Sequence, residues 1–215
     1  MQQQQAIIDN ANKQYNRRSQ QYPGTAKAVF WDNQQTQYLR FHEIVKQMDL
    51  GACCTVLDVG CGNAELYKYL NFNGFKGQYR GWDINEALLN QARQMYPDIA
   101  VAKVDILAQP VTERFDYVVL SGLFNLNYGQ DMAWVEQMLT AMFALTNKKM
   151  IFNAISSYVN YRQDEMFYIN PTVILDFILR HLSTQVVLEH GTLPYNYLVA
   201  VDASRDWQSI DVKSL

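Results

Sequence analysis

The stretch VLDVGCGNAE, residues 56–65, joins an apolar run to a glycine turn and an amphipathic segment. The apolar run predicts a buried strand over residues 54–59, and the segment from 64 to 71 has the spacing of a helix. Between them, Gly60 permits a tight turn, and Gly62 lets the backbone approach a ligand beside the free N–H groups of the helix N-terminus. The stretch therefore predicts a strand, a ligand-binding turn and a helix.

The rest of the chain repeats this alternation of short apolar runs and amphipathic segments. Strands that alternate with helices of about 10–15 residues predict a parallel sheet. The tight turn at 190–196 joins the last two strands, so one of them is predicted to run antiparallel. The fold class is therefore α/β, a doubly wound, mostly parallel sheet of seven strands with an N-terminal helical cover. The predicted strands are 54–59, 78–82, 99–104, 115–120, 148–154, 185–189 and 197–201, and the predicted helices are 33–48, 64–71, 85–95, 131–145 and 171–182.

Residues 1–50 are predicted to be a helical extension or cover, and residues 51–215 a ligand-binding domain. Residues 1–21 are rich in glutamine, but a weak apolar stripe predicts a loose helix that frays or folds over the rest of the chain. Tyr22-Pro23-Gly24 ends this helix.

Composition excludes several classes of protein. With 49% hydrophobic and 18% charged residues in a chain of 215, a sizeable core is expected. A net charge of -3 gives little attraction for a phosphate backbone, so nucleic acid is an improbable partner. No secretory signal or membrane span is expected. Because Cys53, Cys54 and Cys61 have neither CxxC nor histidine spacing, we expect no disulfide and no metal site, and a cytoplasmic location.

Ligands of doubly wound sheets bind where the strands end, so the residues after each strand are the candidates. Asp58 precedes the glycine turn, where a carboxylate repels a pyrophosphate but attracts an ammonium group. Asp83 follows Gly60 by 23 residues, the spacing of the acid that accepts hydrogen bonds from a ribose diol. Asp105 suits an exocyclic amine, and Ile106 an apolar ring face. An ammonium, a ribose and an adenine together describe S-adenosylmethionine.

Four motifs in order, VLDVGCGNAEL, GWDINEALLNQAR, VDI and FDYVVLSGLFN, resemble those of class I S-adenosylmethionine-dependent methyltransferases over roughly residues 54–203. The segments AVFW (28–31), QYLRF (37–41) and VVLEH (186–190) also resemble a poorly characterised group of small bacterial methyltransferases. The one departure is Ala64, where many members have a third glycine. The resemblance implies that Asp58, Gly60, Cys61 and Gly62 line the methionine end of the cofactor, that Asp83 holds the ribose, that Ile84, Asp105 and Ile106 surround the adenine, and that Ser121, Gly122 and Leu123 face the sulfonium.

Arg40 is predicted to pair with the carboxylate of the cofactor, a role that Arg17 or Arg18 could take if the first helix folds over the site. The catalytic residues stay open. Methyl transfer gains much of its acceleration from alignment of the reactants, and a general base is needed only if the acceptor must lose a proton early. His190 and Tyr195 are the candidates for that base, against a structural role for each.

The leading functional hypothesis is methyl transfer to an oxygen or nitrogen of a small-molecule acceptor. An RNA or protein acceptor stays open, although the segment after the fourth strand lacks the Pro-Pro pattern of amino-methylating DNA enzymes. A nicotinamide-dependent reductase conflicts with Asp58 and with the missing third glycine. A protein that binds the cofactor without turnover also stays open.

Overall fold

The computed structural model describes residues 2–31, 33–50, 54–108, 111–191 and 193–203. In this part of the chain seven strands form one sheet, in the order β3-β2-β1-β4-β5-β7-β6, and helices pack on both faces. The predicted α/β fold class is confirmed. Cys53 and residues 204–215, the end of the second predicted unit, lie outside the described residues. The elements are α1 (Gln2–Gln21), a 3-10 turn (Ala26–Val29), α2 (Gln34–Lys46), β1 (Thr55–Val59), α3 (Glu65–Phe72), β2 (Gln78–Asp83), α4 (Glu86–Met95), β3 (Val101–Lys103), β4 (Phe115–Leu120), α5 (Met132–Ala144), β5 (Thr146–Ile155), α6 (Pro171–His181), β6 (Val186–His190) and β7 (Asn196–Asp202).

The strand order reverses at β1. This strand pairs in parallel with β2 on one side and with β4 on the other, so the sheet is extended first on one side of β1 and then, from β4 onward, on the other side. The carboxyl end of β1 is therefore the topological switch point, the place where doubly wound sheets form a ligand crevice. β7 runs antiparallel to both β5 and β6, as the short turn before it predicted.

Alternate residues of β1 enter two different hydrophobic clusters. Leu57 packs on the face covered by α5 and α6, whereas Val56 packs on the face covered by α2 and α3. All but the first residue of β1 are buried, which explains the near-continuous apolar run in the sequence. The central strand is therefore held from both sides, and the turn that follows it starts from a rigid base.

The helix ends agree with their local sequence signals. Asn85, Asp131 and Asn170 each accept a hydrogen bond from a backbone N–H in the first turn of the helix that follows. Pro171 occupies the first turn of α6, where its missing N–H costs no hydrogen bond. These caps place the starts of α4 and α5 close to the carboxyl ends of β2 and β4.

Three elements differ from the sequence-based prediction. β3 has only three residues, because it pairs with β2 alone at the edge of the sheet. β5 begins two residues before the predicted start at 148 and extends to Ile155, and its register with β4 shifts between Phe115 and Tyr117. The N-terminal segment is one continuous helix of 20 residues, because its side-chain amides bond to the loops beneath it.

Candidate functional site

The turn after β1 has a backbone that few side chains tolerate. Gly60 and Gly62 have φ angles of 72° and 55°, and a Cβ on Gly62 would lie 3.0 Å from the side chain of Val29. Ala64 also has a positive φ, 62°, so the residue that departs from the glycine pattern keeps the glycine-like conformation. The N–H groups of Gly60 and Cys61 both donate to the carbonyl of Trp82, which fastens the turn to the end of β2.

Two carboxylates lie beneath this turn. Asp83 accepts hydrogen bonds of 2.8 Å from the backbone N–H groups of Gly62 and Asn85. Asp58 is 3% exposed and accepts a 2.7 Å hydrogen bond from the hydroxyl of Tyr79. Burial raises the pKa of Asp83, and burial raises the pKa of Asp58 to about 7. A buried carboxylate with a raised pKa gains from a cationic partner, because the partner stabilises its charged form.

A cavity of about 460 Å³ opens above these carboxylates. It lies between the turn after β1, the ends of β2 and β4, and the helices α1 and α2. The structure brings ten of the twelve predicted cofactor-binding residues together on its wall. They are Arg40, Asp58, Gly60, Cys61, Gly62, Asp83, Ile84, Ser121, Gly122 and Leu123.

The remaining two predicted residues line an adjoining narrow chamber. Asp105 and Ile106 lie there at the end of β3, and Ile84 and Leu123 belong to the walls of both chambers. Asp105 accepts a 3.0 Å hydrogen bond from the backbone N–H of Leu107, and both of its carboxylate oxygens also accept from the side-chain amide of Gln4, at 3.3 and 3.2 Å. Apolar side chains and the carboxylate of Asp105 therefore line the same chamber.

Arg40 places a positive charge on the opposite side of the cavity. Its guanidinium carbon lies 4.3 Å from the ring centroid of Trp31, and its side chain is only 8% exposed. Burial lowers its pKa to about 10, so it stays protonated at neutral pH. Its Nε and Nη1 groups have no hydrogen-bond partner among the described residues. A buried guanidinium with unused N–H groups is a binding site for an anion.

Helix α1 and the loop before α6 form a roof over the cavity. Asn10 and Gln14 donate side-chain hydrogen bonds to the carbonyls of Tyr128 and Asn127 in the loop after β4. On the other side, the amide of Asn85 donates to the side chains of Asn12 and Asn16. Residues 163–166 approach from the far edge through a bridge between Leu126 and Met166.

The structure adds residues that sequence reasoning missed. Trp31 supports Arg40, and its ring would lie 3.1 Å from a Cβ on Gly122. Gln37, Asn63 and Asn125 line the cavity and each has a buried polar atom without a partner in the described part of the chain. Trp31 lies in one of the segments that carried the family resemblance, and this was the available signal. Gln37, Asn63 and Asn125 also lie in segments that carried the resemblance, QYLRF, VLDVGCGNAEL and FDYVVLSGLFN, but only the packing shows that they reach the cavity.

His190 and Tyr195, the candidates for a general base, are not among the described residues that line either chamber. His190 Nε2 lies 2.8 Å from the hydroxyl of Ser156, and its ring stacks on Tyr197. Tyr195 is 42% exposed, and its hydroxyl accepts a hydrogen bond from Asn160. Both side chains lie at the β6–β7 end of the sheet, with contacts that suit a structural role.

Comparison with known proteins shows which protein family this chain resembles. A family model described as a methyltransferase domain matches residues 50–193. A Mycobacterium tuberculosis protein named "Putative methyltransferase Rv1506c" is 29% identical over 153 residues, which cover 68% of this chain and 92% of that protein.

Two solved structures have a similar fold. The magnesium protoporphyrin IX methyltransferase of Synechocystis PCC 6803, with bound S-adenosylmethionine, has a TM-score of 0.67 at 14% identity and covers 95% of this chain and 98% of its own. The N-methyltransferase NodS of Bradyrhizobium japonicum WM9 has a TM-score of 0.66 at 16% identity, with 90% and 98% covered. The chain belongs to the methyltransferase-domain family. It is a class I S-adenosylmethionine-dependent methyltransferase.

Proposed function

We propose that this enzyme methylates an oxygen or nitrogen of a small molecule. One observation carries the proposal: a single cavity roofed by α1 joins the strand-end carboxylates to Arg40, whose Nε and Nη1 have no hydrogen-bond partner among the described residues. Its volume of about 460 Å³ must hold the methionine half of the cofactor together with the acceptor. Such a roofed space favours a small acceptor over an RNA or a protein. A similar fold is that of an N-methyltransferase, which supports nitrogen as one acceptor atom.

The charges of the walls fit those of S-adenosylmethionine. Asp58 would hold the ammonium group and Arg40 the carboxylate, which satisfies the buried N–H groups of Arg40. Asp83 would accept hydrogen bonds from the ribose hydroxyls while keeping its bonds to the turn. Asp105 would accept from the adenine amine, and Ile84 and Ile106 would pack on the ring. Each polar end of the cofactor thus meets a wall group of complementary charge or hydrogen-bonding capacity.

Bound in this way, S-adenosylmethionine supplies an activated methyl group on its sulfonium. The protein contributes alignment and the exclusion of water, the two effects that most accelerate a displacement between held reactants. Ser121, Gly122 and Leu123 form the wall at the end of β4 beside the reacting centre, and Asn153 holds this wall by accepting from the Gly122 N–H and donating to Ser121. Residues 1–50 close the space and supply most of the acceptor selectivity.

Proton removal does not depend on a strong base in this arrangement. Tyr15 and Tyr128 face the cofactor chambers as a hydrogen-bonded hydroxyl pair at 2.9 Å. Burial raises the pKa of Tyr15 to about 12, so its hydroxyl stays protonated at neutral pH and does not act as a base. An acceptor that attacks as a neutral amine needs no general base before the methyl group moves.

Calorimetric titration with S-adenosylmethionine and its demethylated product, S-adenosylhomocysteine, tests the assignment. We expect micromolar binding of both, and on the order of 10- to 100-fold weaker binding by Arg40→Gln, because a charge-assisted pair is lost. Arg80→Gln is the matched control, since Arg80 pairs with Glu113 at the exposed start of β2. Binding would justify a screen of amines and hydroxyl compounds for product formation. Failure of both ligands to bind the unaltered protein would overturn the proposal.

A further inference from the structure

A second arginine lines the same cavity, and the cofactor leaves it without an anion. Arg18, in the last turn of α1, has its guanidinium carbon 4.7 Å from the ring centroid of Phe30 and 5.1 Å from that of Tyr22. Its Nε is buried and has no hydrogen-bond partner among the described residues. The first helix therefore presents a positive charge to the cavity from the roof.

Arg18 and Arg40 are supported in the same manner. Each guanidinium lies over an aromatic ring, and the two rings, Phe30 and Trp31, are consecutive in the chain. Phe30 has a φ of 63°, a left-handed conformation that is unfavourable for a bulky side chain. Ring contact occupies the face of a guanidinium and leaves its N–H edge for a planar anion. Phe30 and Trp31 thus contact two arginines whose buried Nε groups have no hydrogen-bond partner among the described residues.

Three of the four described acids that line the cavity already have partners, and the fourth, Glu165, is exposed and forms no ion pair with Arg18. Asp58 accepts from Tyr79, and Asp83 accepts from two backbone N–H groups. Glu65 accepts from Gln34 and Tyr38 and lies 3.8 Å from Lys68. S-adenosylmethionine has a single carboxylate, and Arg40, the more deeply buried arginine, is the residue placed to take it. The guanidinium of Arg18 then has no ion-pair partner among the described residues or in the cofactor.

We propose that Arg18 selects an acceptor that carries a carboxylate. This inference rests on the proposed function, since it assigns to the acceptor the wall arginine that the cofactor does not use. The planar N–H edge of a guanidinium matches a carboxylate with two parallel hydrogen bonds. The carboxylates of Asp58 and Asp83 beneath the cofactor favour a singly charged group over a phosphate dianion, because Arg18 alone balances it. Arg18 is a specificity-determining residue in this arrangement, and the methyl transfer itself takes place at another atom of the acceptor.

The test uses simple probes on protein saturated with S-adenosylhomocysteine, which occupies Arg40. The unfolding midpoint is measured with increasing acetate or benzoate, and with the uncharged acetamide or benzamide, at constant ionic strength. We expect at least one carboxylate to raise the midpoint with a millimolar dissociation constant, and its amide to have no effect. Arg18→Gln should weaken carboxylate binding at least tenfold, and Arg18→Lys should restore part of it through its charge. Arg17→Gln, the exposed neighbour on the same helix, should behave as the unaltered protein.

The outcomes separate this inference from the proposed function. S-adenosylhomocysteine should bind the unaltered protein, Arg17→Gln and Arg18→Gln with the same affinity. If it does so while carboxylates bind no better than amides, the carboxylate inference is overturned and the cofactor site stands. If Arg18→Gln instead loses affinity for S-adenosylhomocysteine, Arg18 pairs with the cofactor and the inference is equally overturned. If the unaltered protein does not bind S-adenosylhomocysteine, both proposals fail.

Discussion

The floor and the roof of the cavity are held by different kinds of contact. In the floor, which comprises the turns after β1, β2 and β3, carboxylates accept hydrogen bonds from backbone N–H groups of the same turn or of a neighbouring turn. Asp83 bonds to Gly62 and Asn85, and Asp105 bonds to Leu107. These bonds are charge-assisted, and their donors and acceptors lie within a few residues of a strand end. Each turn is therefore held in place by the sheet itself.

The roof, helix α1, is held by side-chain hydrogen bonds that reach across more than 60 residues of sequence, most of them between neutral groups. Examples are Asn10 to the carbonyl of Tyr128 and Gln91 to the carbonyl of Ser19. Only Ile7, Ala11 and Ser19 are buried on this helix. Each neutral hydrogen bond contributes about 1 kcal/mol. The comparison teaches that the floor is built to hold its shape, whereas the roof is built from separable contacts that can open to admit a cofactor.

Removal of the roof should have the largest effect on methyl transfer. Deletion of residues 2–21 should lower methyl transfer to an acceptor found by screening on the order of 100-fold, because the reactants lose alignment and water enters. The sheet should persist, since its core involves few side chains of α1. Turnover is measured beside the near-ultraviolet circular dichroism of the aromatic core. Unchanged kinetics with an intact core would show that α1 takes no part in the reaction.

A single change in the floor should have the next largest effect. Asp83→Ala removes the acceptor of two backbone N–H groups as well as the predicted ribose contact. We expect binding of S-adenosylhomocysteine to weaken by about 1.5–3 kcal/mol, roughly 10- to 150-fold, the range for hydrogen bonds to a charged group. Asp176→Ala, which removes an exposed acid that pairs with Arg180 on α6, is the control. Equal affinities of the two variants by calorimetry would mean that the ribose is held elsewhere.

Proton uptake by Asp58 should make both the stability of the protein and its affinity for the cofactor depend on pH. With a pKa of about 7, Asp58 is protonated in the folded protein at pH 5 but ionised in the unfolded chain. Its contribution to stability is therefore present below about pH 4 and is lost as the pH rises to 7. Binding of an ammonium group requires the ionised form, so cofactor affinity should rise about tenfold between pH 6 and pH 8.

Asp58→Asn is the variant that isolates this effect. It should bind S-adenosylhomocysteine more weakly at pH 8 and with little dependence on pH, and its stability should change less between pH 5 and pH 8 than that of the unaltered protein. Calorimetry at pH 6, 7 and 8 and urea unfolding at pH 5 and 8 give the two readings. An equally steep pH dependence of affinity in Asp58→Asn would assign the proton to another group.

The floor was largely predictable from the sequence because its chemistry is local. Asp58, Gly60 and Gly62 lie within five residues, and Asp83 lies at a spacing that one βαβ unit imposes. The alternation of elements predicted a doubly wound sheet of seven strands, and this fold class was confirmed. Strand ends were less accurate, since the length of β3 depends on which partner strand it meets.

The roof was only partly predictable because its contacts are distant in sequence. Gln4 meets Asp105 and Asn10 meets Tyr128 only after the sheet has formed. Residues 163–166 carry no periodic pattern, yet they reach the cavity through one bridge to Leu126. Because its apolar stripe is weak, α1 is stabilised by the surface on which it packs rather than by the helix propensity of its residues. That surface is formed by residues distant in sequence, so inspection of the α1 segment alone does not reveal it.

The turn conformation of Ala64 gives a smaller and oppositely signed effect in the floor. Because Ala64 has a φ of 62°, Ala64→Gly should stabilise the protein by about 1 kcal/mol, relieving a conformation that a Cβ disfavours. Ala92→Gly, equally buried but inside helix α4, should destabilise it by about 1 kcal/mol. Urea unfolding of the two variants measures both. Destabilisation by both changes would mean that the methyl group of Ala64 contributes more through packing than it costs in strain.

The smallest expected effect lies where the roof meets the floor. Gln4 donates its amide to both oxygens of Asp105, the carboxylate predicted to accept from the adenine amine. The amide and the adenine then compete for the same carboxylate, so Gln4→Ala should tighten binding of S-adenosylhomocysteine. We expect about 0.5–1 kcal/mol, below the usual range for a hydrogen bond to a charged group, because both contacts are long, at 3.3 and 3.2 Å. Gln5→Ala is the control, because Gln5 bonds only to Asp9 on the same exposed helix face and should leave affinity unchanged. A weaker affinity in Gln4→Ala would instead show that the roof binds the adenine together with Asp105. Loss of a competing hydrogen bond raises the affinity, whereas loss of a contact that helps to bind the adenine lowers it.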